Sequence, residues 1–187
     1  FIATADWQLG MAAHFLEDDA RARFHQARLD AVAEIGRLAA RRDAGFVVVG
    51  GDVFESNQLD RAILLRAFEA LRACPVPVLL VPGNHDPLDA SSIYRSRAFV
   101  DRCPSHVVVA ESSEPIELVP GAEVVAAPWF SKRPETDLVA EACAALRPPA
   151  EGVVRVLVGH GAVACLNPDR ESLAAIDDAA LAARISE

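Results

Sequence analysis

Asp6, Asp52, Asn84, His85 and His160 are the residues of this chain whose types and placement suggest chemistry. Each follows an apolar run closely, in "FIATAD", "FVVVGGD", "VPVLLVPGNHD" and "VVRVLVGH". A core strand has no structural need for Asn-His-Asp at its end, so the third stretch carries the strongest signal. Carboxylate, amide carbonyl and imidazole together suit Mn²⁺, Fe or a mixed pair of cations. Two such cations about 3.5–4 Å apart need one carboxylate able to bridge them. Glycines stand just before the donors, where a sharp turn or a close backbone approach is easiest without a Cβ. Asp86 directly follows His85. If the turn lets them meet, the carboxylate fixes the imidazole tautomer and favours its charged form. A protonated His85 then has a proton to give to a phosphate oxygen or a leaving group.

Positioning these donors is the work of the elements around them. Apolar, β-branched runs predict strands at residues 1–5, 46–49, 76–81, 106–109, 115–119, 123–126 and 153–158. One long helix should be opened by Asp18 or Asp19 and run to about Arg42. Phe24, Ala27, Ala31, Ile35 and Leu38 recur along it at a helical period. A second, opened by Asn57 or Asp60, puts Leu64, Phe68 and Leu71 on one face. Shorter helices are predicted within 91–102 and 135–146. The order β-α-β-α-β is α/β, shifting to hairpin-like strands in the middle of the chain. In open α/β sheets the carboxyl ends of neighbouring strands face one crevice. If these strands are neighbours, all five donors converge there.

The totals narrow the field. At 187 residues and 52% hydrophobic, the chain is long and apolar enough for one domain with a real core. A net charge of -9 argues against broad electrostatic attraction to nucleic acid. It leaves room for a local site where cations supply the positive charge. Cys74, Cys103, Cys143 and Cys165 have neither finger nor redox spacing and read as reduced thiols of a cytoplasmic protein. No signal peptide or membrane-spanning run is evident. His14 lies in the loop after Asp6, while His25 and His106 lack a motif. Trp7 and Trp129 read as packing residues, Trp7 close enough to wall the site. Arg95, Arg97, Arg102, Lys132 and Arg133 read as solvated surface, and are where phosphate contacts would be sought if DNA binds.

"TADWQLG", "GGDVFES", "VPGNHD" and "VGHG" resemble, in order, the motifs of the calcineurin-like metallophosphoesterases. With "SSIYRSRAFVDR" and "AAPWFSKRP" added, the chain is similar to the nuclease subunit of SbcCD-type DNA repair complexes. The resemblance implies a two-sheet β-sandwich flanked by helices, a four-layer αββα arrangement. It implies a single such domain over residues 1–187, cut short at its C-terminal end. The implied activity is two-metal hydrolysis of phosphodiesters at DNA ends, with Mn²⁺ favoured and Mg²⁺ or Fe as alternatives. The implied partners are DNA, an SMC-like ATPase subunit and a second copy of the chain. By resemblance Asp6 binds the first metal, Asp52 bridges, Asn84 and His160 bind the second, and His85, supported by Asp86, acts near the leaving group. Two departures stand out. The family carries His where this chain has Gln8, a neutral and weaker donor, so a looser first metal site is expected. The family's later Gly-x-His element has no counterpart, since residues 162–187 contain no His. Two other readings stay open: a phosphoesterase of the same fold acting on a small molecule or nucleotide, and a non-catalytic partner-binding module.

Overall fold

The computed structural model describes residues 1–167 and 172–185. All seven predicted strands form. β1 (Ile2–Thr4), β2 (Val47–Gly50), β3 (Val78–Val81) and β4 (Val107–Val109) make a parallel sheet in that order. β5 (Ile116–Val119), β6 (Ala122–Ala127) and β7 (Val154–Gly159) make a second sheet. There β5 and β6 form the predicted hairpin, and β7 returns parallel to β6.

Alternation along the strands shows how the layers stack. Val47, Val49, Val78 and Leu80 pack outward on helices, with Leu29, Val32 and Phe68 in the same cluster. Val48, Leu79 and Val81 face the other way, onto Val124 and Ala126 of the second sheet. Val125 and Ala127 then turn to Val139 and Ala142 beyond that sheet. The result is helix, sheet, sheet, helix, as the resemblance implied. Strands buried on both faces need apolar residues at every position, which is why β2 and β3 read as unbroken runs.

α1 (Asp18–Arg41) and α2 (Arg61–Leu71) cover the first sheet. The buried face of α1 is Leu29, Val32, Gly36 and Ala39; Ala27 and Ala31 are exposed, so the predicted stripe was rotated from the true one. Gly36 sets the orientation, because a Cβ there would stand 2.7 Å from Cys74 Cα. The residue preceding α1 is Glu17, which makes no side-chain cap, rather than Asp18 or Asp19. α2 is capped by Asp60, whose carboxylate accepts from the Ala62 amide at 2.6 Å. Asn57 instead ties loops together, donating to the Pro87 carbonyl at 2.9 Å and accepting from the Ile93 amide at 3.0 Å. The segment predicted helical at 91–102 splits into a 3₁₀ turn (Ile93–Arg95) and α3 (Arg97–Val100). α4 (Leu138–Ala144) is capped by Asp137, and α5 (Asp178–Ile185) was not foreseen. Among the described residues no helix is long and apolar enough to cross a membrane.

Candidate metal centre

β1 and β2 stop at Thr4 and Gly50, but their pairing continues. The Asp6 amide donates to the Gly51 carbonyl at 3.1 Å, Gln8 to Asp52 at 2.8 Å and Leu9 to Val53 at 2.9 Å. The Glu55 amide returns to the Leu9 carbonyl at 3.0 Å. Within this extension Asp6, Gln8 and Asp52 adopt φ of 55°, 42° and 53°. L-residues seldom enter that region, and each costs on the order of 1–3 kcal/mol unless its surroundings hold it there. Among the described non-glycine residues only Ala13 and Asp43 share it. Strained backbone is thus concentrated where three of the predicted donors stand, Gln8 being the weaker one.

The loop after β3 folds back on the loop after β2. The His85 amide donates to Asp52 Oδ1 at 3.0 Å. The chain at Gly83 passes so close that a Cβ would lie 2.2 Å from the same oxygen. The end of β7 closes the group from the second sheet. His160 Nδ1 donates to the Gly50 carbonyl at 2.9 Å, which leaves Nε2 facing the donors. Nε2 is 2.9 Å from Asn84 Oδ1 and 3.3 Å from Asp52 Oδ1. Gly51 makes room for the ring, since a Cβ there would sit 2.2 Å from His160 Cγ. Ligand atoms of Asp6, Asp52 and His160 all lie within 4.8 Å of one another.

Electrostatics follow from this crowding. Burial alone would push the Asp52 carboxyl up, but hydrogen bonds from His160 and the His85 amide outweigh it and hold it below its ordinary value. Burial would likewise lower the His160 imidazole, yet its bond to Asp52 and that carboxylate's charge raise it overall. The pair therefore favours the state with both groups charged.

Asp86 behaves differently from the expectation that it supports His85. It is fully buried. Its carboxylate accepts from the Gly83 amide at 2.8 Å, the Phe54 amide at 2.9 Å and the Tyr94 hydroxyl at 2.6 Å. One of those donors lies in its own turn and two lie outside it, so Asp86 fastens the 82–88 loop to its neighbours. Burial raises the Asp86 carboxyl despite those bonds, and raises the Tyr94 hydroxyl well above its usual range. The carboxylate that faces His85 belongs to Glu55. His85 Nδ1 donates to the Glu55 carbonyl at 3.0 Å and lies 3.8 Å from Glu55 Oε1. A carbonyl only accepts, so Nδ1 carries the proton and Nε2 is left 4.0 Å from Asp52 Oδ2. Among the described residues Glu55 Oε2 is buried without a hydrogen-bond partner.

The sequence pattern of the calcineurin-like phosphoesterases matches residues 1–178. The chain belongs to the calcineurin-like phosphoesterase family. No curated protein matches it. Enzymes of this family hydrolyse phosphoesters with divalent metals, and the donor set of this phosphoesterase fits them. Two carboxylates, an amide oxygen and an imidazole nitrogen point at one small volume without a thiolate. Gly51 and Gly83 keep side-chain bulk out of it.

The structure brings Asp6, Asp52, Asn84, His85 and His160 together, and ties Gln8 to them through its backbone amide on the Asp52 carbonyl. Asp6 is exposed and Asp52 buried. His14 is exposed in the loop beyond, and His106 is committed to the Leu71 carbonyl at 3.1 Å. Two neighbours of the donors have roles that the sequence reading does not give them. Glu55 stands three residues after Asp52 in "GDVFES", a spacing that could have drawn attention to it. Trp129 was read as packing, but its indole N–H donates to the His160 carbonyl at 2.9 Å.

Proposed function

We propose that this phosphoesterase cleaves phosphodiester bonds in DNA, as the nuclease subunit of an SbcCD-type complex with an SMC-like ATPase and a second copy of itself. The observation that carries hydrolysis is the convergence of Asp6, Asp52, Asn84 and His160 beside His85. In this reading Asp6 and Gln8 hold one cation, Asn84 and His160 hold the other, and Asp52 serves both. Bound divalent cations, Mn²⁺ above all, supply positive charge to the phosphate and acidify a water. His85, steadied at Nδ1 by Glu55, would in its doubly protonated form present an Nε2–H to the phosphoester and give that proton to the departing oxygen, leaving a neutral imidazole with its proton on Nδ1.

DNA is favoured by stretches outside the metal motifs, "SSIYRSRAFVDR" and "AAPWFSKRP". The first is tethered to the centre through Tyr94 on Asp86 and Asn57 on the Ile93 amide. Arg95 and Arg97 thereby sit on a segment fastened to the donor loops. The Arg97 side chain is exposed and shares a surface pair with Asp101 at 3.3 Å, weak enough to yield to a phosphate. A second reading, a phosphoesterase for a small molecule or nucleotide, is favoured by the net charge of -9. The full chain with Mn²⁺, offered linear duplex DNA and bis(p-nitrophenyl) phosphate, separates them. Cleavage of DNA abolished by Asp52→Asn supports the nuclease. Turnover of the small ester alone supports the second reading, and turnover of neither leaves a binding module.

A further inference from the structure

His160 is held from more directions than any other donor, and one residue accounts for several of them. Trp129 follows β6 on the second sheet. Its amide donates to the Pro82 carbonyl at 3.1 Å, and its carbonyl accepts from the Leu88 amide at 2.8 Å. Those two bonds bracket residues 83–87, the loop that carries Asn84 and His85. The indole N–H reaches the His160 carbonyl, and the indole meets the imidazole edge-to-face with centroids 5.8 Å apart. The residue is only 8% exposed. Trp129 thus grips the Asn84 loop with its backbone and the His160 peptide with its side chain. It thereby holds both sides of the contact between Asn84 Oδ1 and His160 Nε2, which are 2.9 Å apart. Its described contacts do not extend to Asp6 or Gln8, which hang on β1 and its ladder to β2.

We infer that Trp129 is a positioning residue which sets the affinity of one of the two metal positions, the Asn84–His160 one, and leaves the Asp6–Gln8 one to the first sheet. Partners outside the ligand set commonly change metal affinity by about 10- to 100-fold through ligand orientation. The inference needs the metal centre but not a DNA substrate, so it stands or falls apart from the nuclease reading.

The test is calorimetric titration of the metal-free full chain with Mn²⁺. Asn84→Ala and Asp6→Asn assign the two binding steps. Trp129→Phe keeps an aromatic ring and both backbone bonds but removes the N–H. It should weaken the Asn84-dependent step about tenfold and leave the Asp6-dependent step within about twofold. Trp129→His, which retains a ring N–H, should recover part of the loss. Phe68→Leu, in the helix-side core, serves as a variant of lowered stability with the centre intact. A second readout comes from the tryptophans themselves, since the chain has only Trp7 and Trp129. Fluorescence of a Trp7→Phe protein then reports Trp129 alone, and should respond to the Asn84-dependent step and not to the other. Equal weakening of both steps, no weakening, or the same weakening in Phe68→Leu overturns the inference. So does Trp129 fluorescence that follows the Asp6-dependent step. Should Trp129→Phe fail to fold, the fluorescence assignment decides alone.

Discussion

The Asp6–Gln8 half of the proposed metal centre and the Asn84–His160 half are held by different means. The first hangs on backbone: its amides continue the β1–β2 ladder, and two of its residues sit in the left-handed region. Its side chains are loosely kept. Among the described residues the Asp6 carboxylate takes no hydrogen bond, and a cavity of about 370 Å³ opens between this loop and α1. Arg28 steadies it from outside, donating to the Trp7 carbonyl at 2.6 Å and stacking over Phe24. The second half is cross-linked through side chains, between the two sheets by His160 on Gly50 and on Asn84, and within the second sheet by Trp129 on His160. The contrast teaches that strand pairing alone brings donors near one another, whereas contacts between sheets make them stiff. Asp52 belongs to both regimes, with ladder bonds through its backbone and His160 and His85 on its carboxylate.

That shared position gives the largest expected effect. Asp52→Asn should lower kcat/KM roughly a thousandfold, as loss of a central charge in a preorganised site does. Both metal-binding steps should weaken in titration; loss of only one would mean that Asp52 serves a single half.

Next is the latch behind the stiffer half. Asp86→Ala strands two buried amides and the Tyr94 hydroxyl, and should cost about 3 kcal/mol or more. For a chain of this length that lowers Tm by roughly 6–12 °C. Tyr94→Phe removes one of those bonds and should cost about 1–2 kcal/mol with little change in kcat. A large fall in kcat at unchanged Tm in that variant would make Tyr94 part of the chemistry.

The looser half can be tightened. Gln8→His offers an imidazole in place of a neutral amide and should strengthen the Asp6-dependent step by about tenfold. The Asn84-dependent step should not move. If wild type already shows two equally tight steps, the contrast between halves is wrong.

The smallest effect is on the metal-free protein. His160 is raised, so its stabilising charge is complete below the ordinary imidazole range and fades as pH climbs through the raised value. Asp52 is lowered, so its contribution is complete above the ordinary carboxylate range and fades as pH drops through the lowered value. In chelator, Tm should therefore peak between those two ranges, and His160→Gln should flatten the alkaline side of the peak.

Strand ends were the most legible feature of the sequence. Continuous apolar runs at 46–49 and 76–81 announced strands covered on both faces, and the polar residues following them had no packing reason to be there. Placing Asp6, Asp52 and Asn84 in one crevice needed only the parallel order of β1, β2 and β3, whereas His160 arrives from β7 of the second sheet, through sheet-on-sheet packing that strand order does not reveal. Side-chain pairings were less legible because they depend on turn geometry. Adjacent numbering suggested Asp86 as the partner of His85, yet the tight turn at Gly83 directs that carboxylate inward and leaves Glu55 facing the ring. The buried face of α1 was misread because its closest approach is made by Gly36, which carries no hydrophobic signal of its own. Trp129 looked like packing because nothing local reveals a hydrogen bond to a residue 31 positions away.

The ladder that outlasts β1 and β2 has one more consequence. Neighbouring strands in any sheet lie about 4.8 Å apart, a pitch fixed by peptide hydrogen bonds. Because the pairing runs on through Asp6 and Asp52, these acids are carried by that pitch as teeth are by a rack. Amide protons of Asp6, Gln8, Leu9 and Glu55 should then exchange with solvent as slowly as those of the sheet interior, although every one of them lies outside a strand.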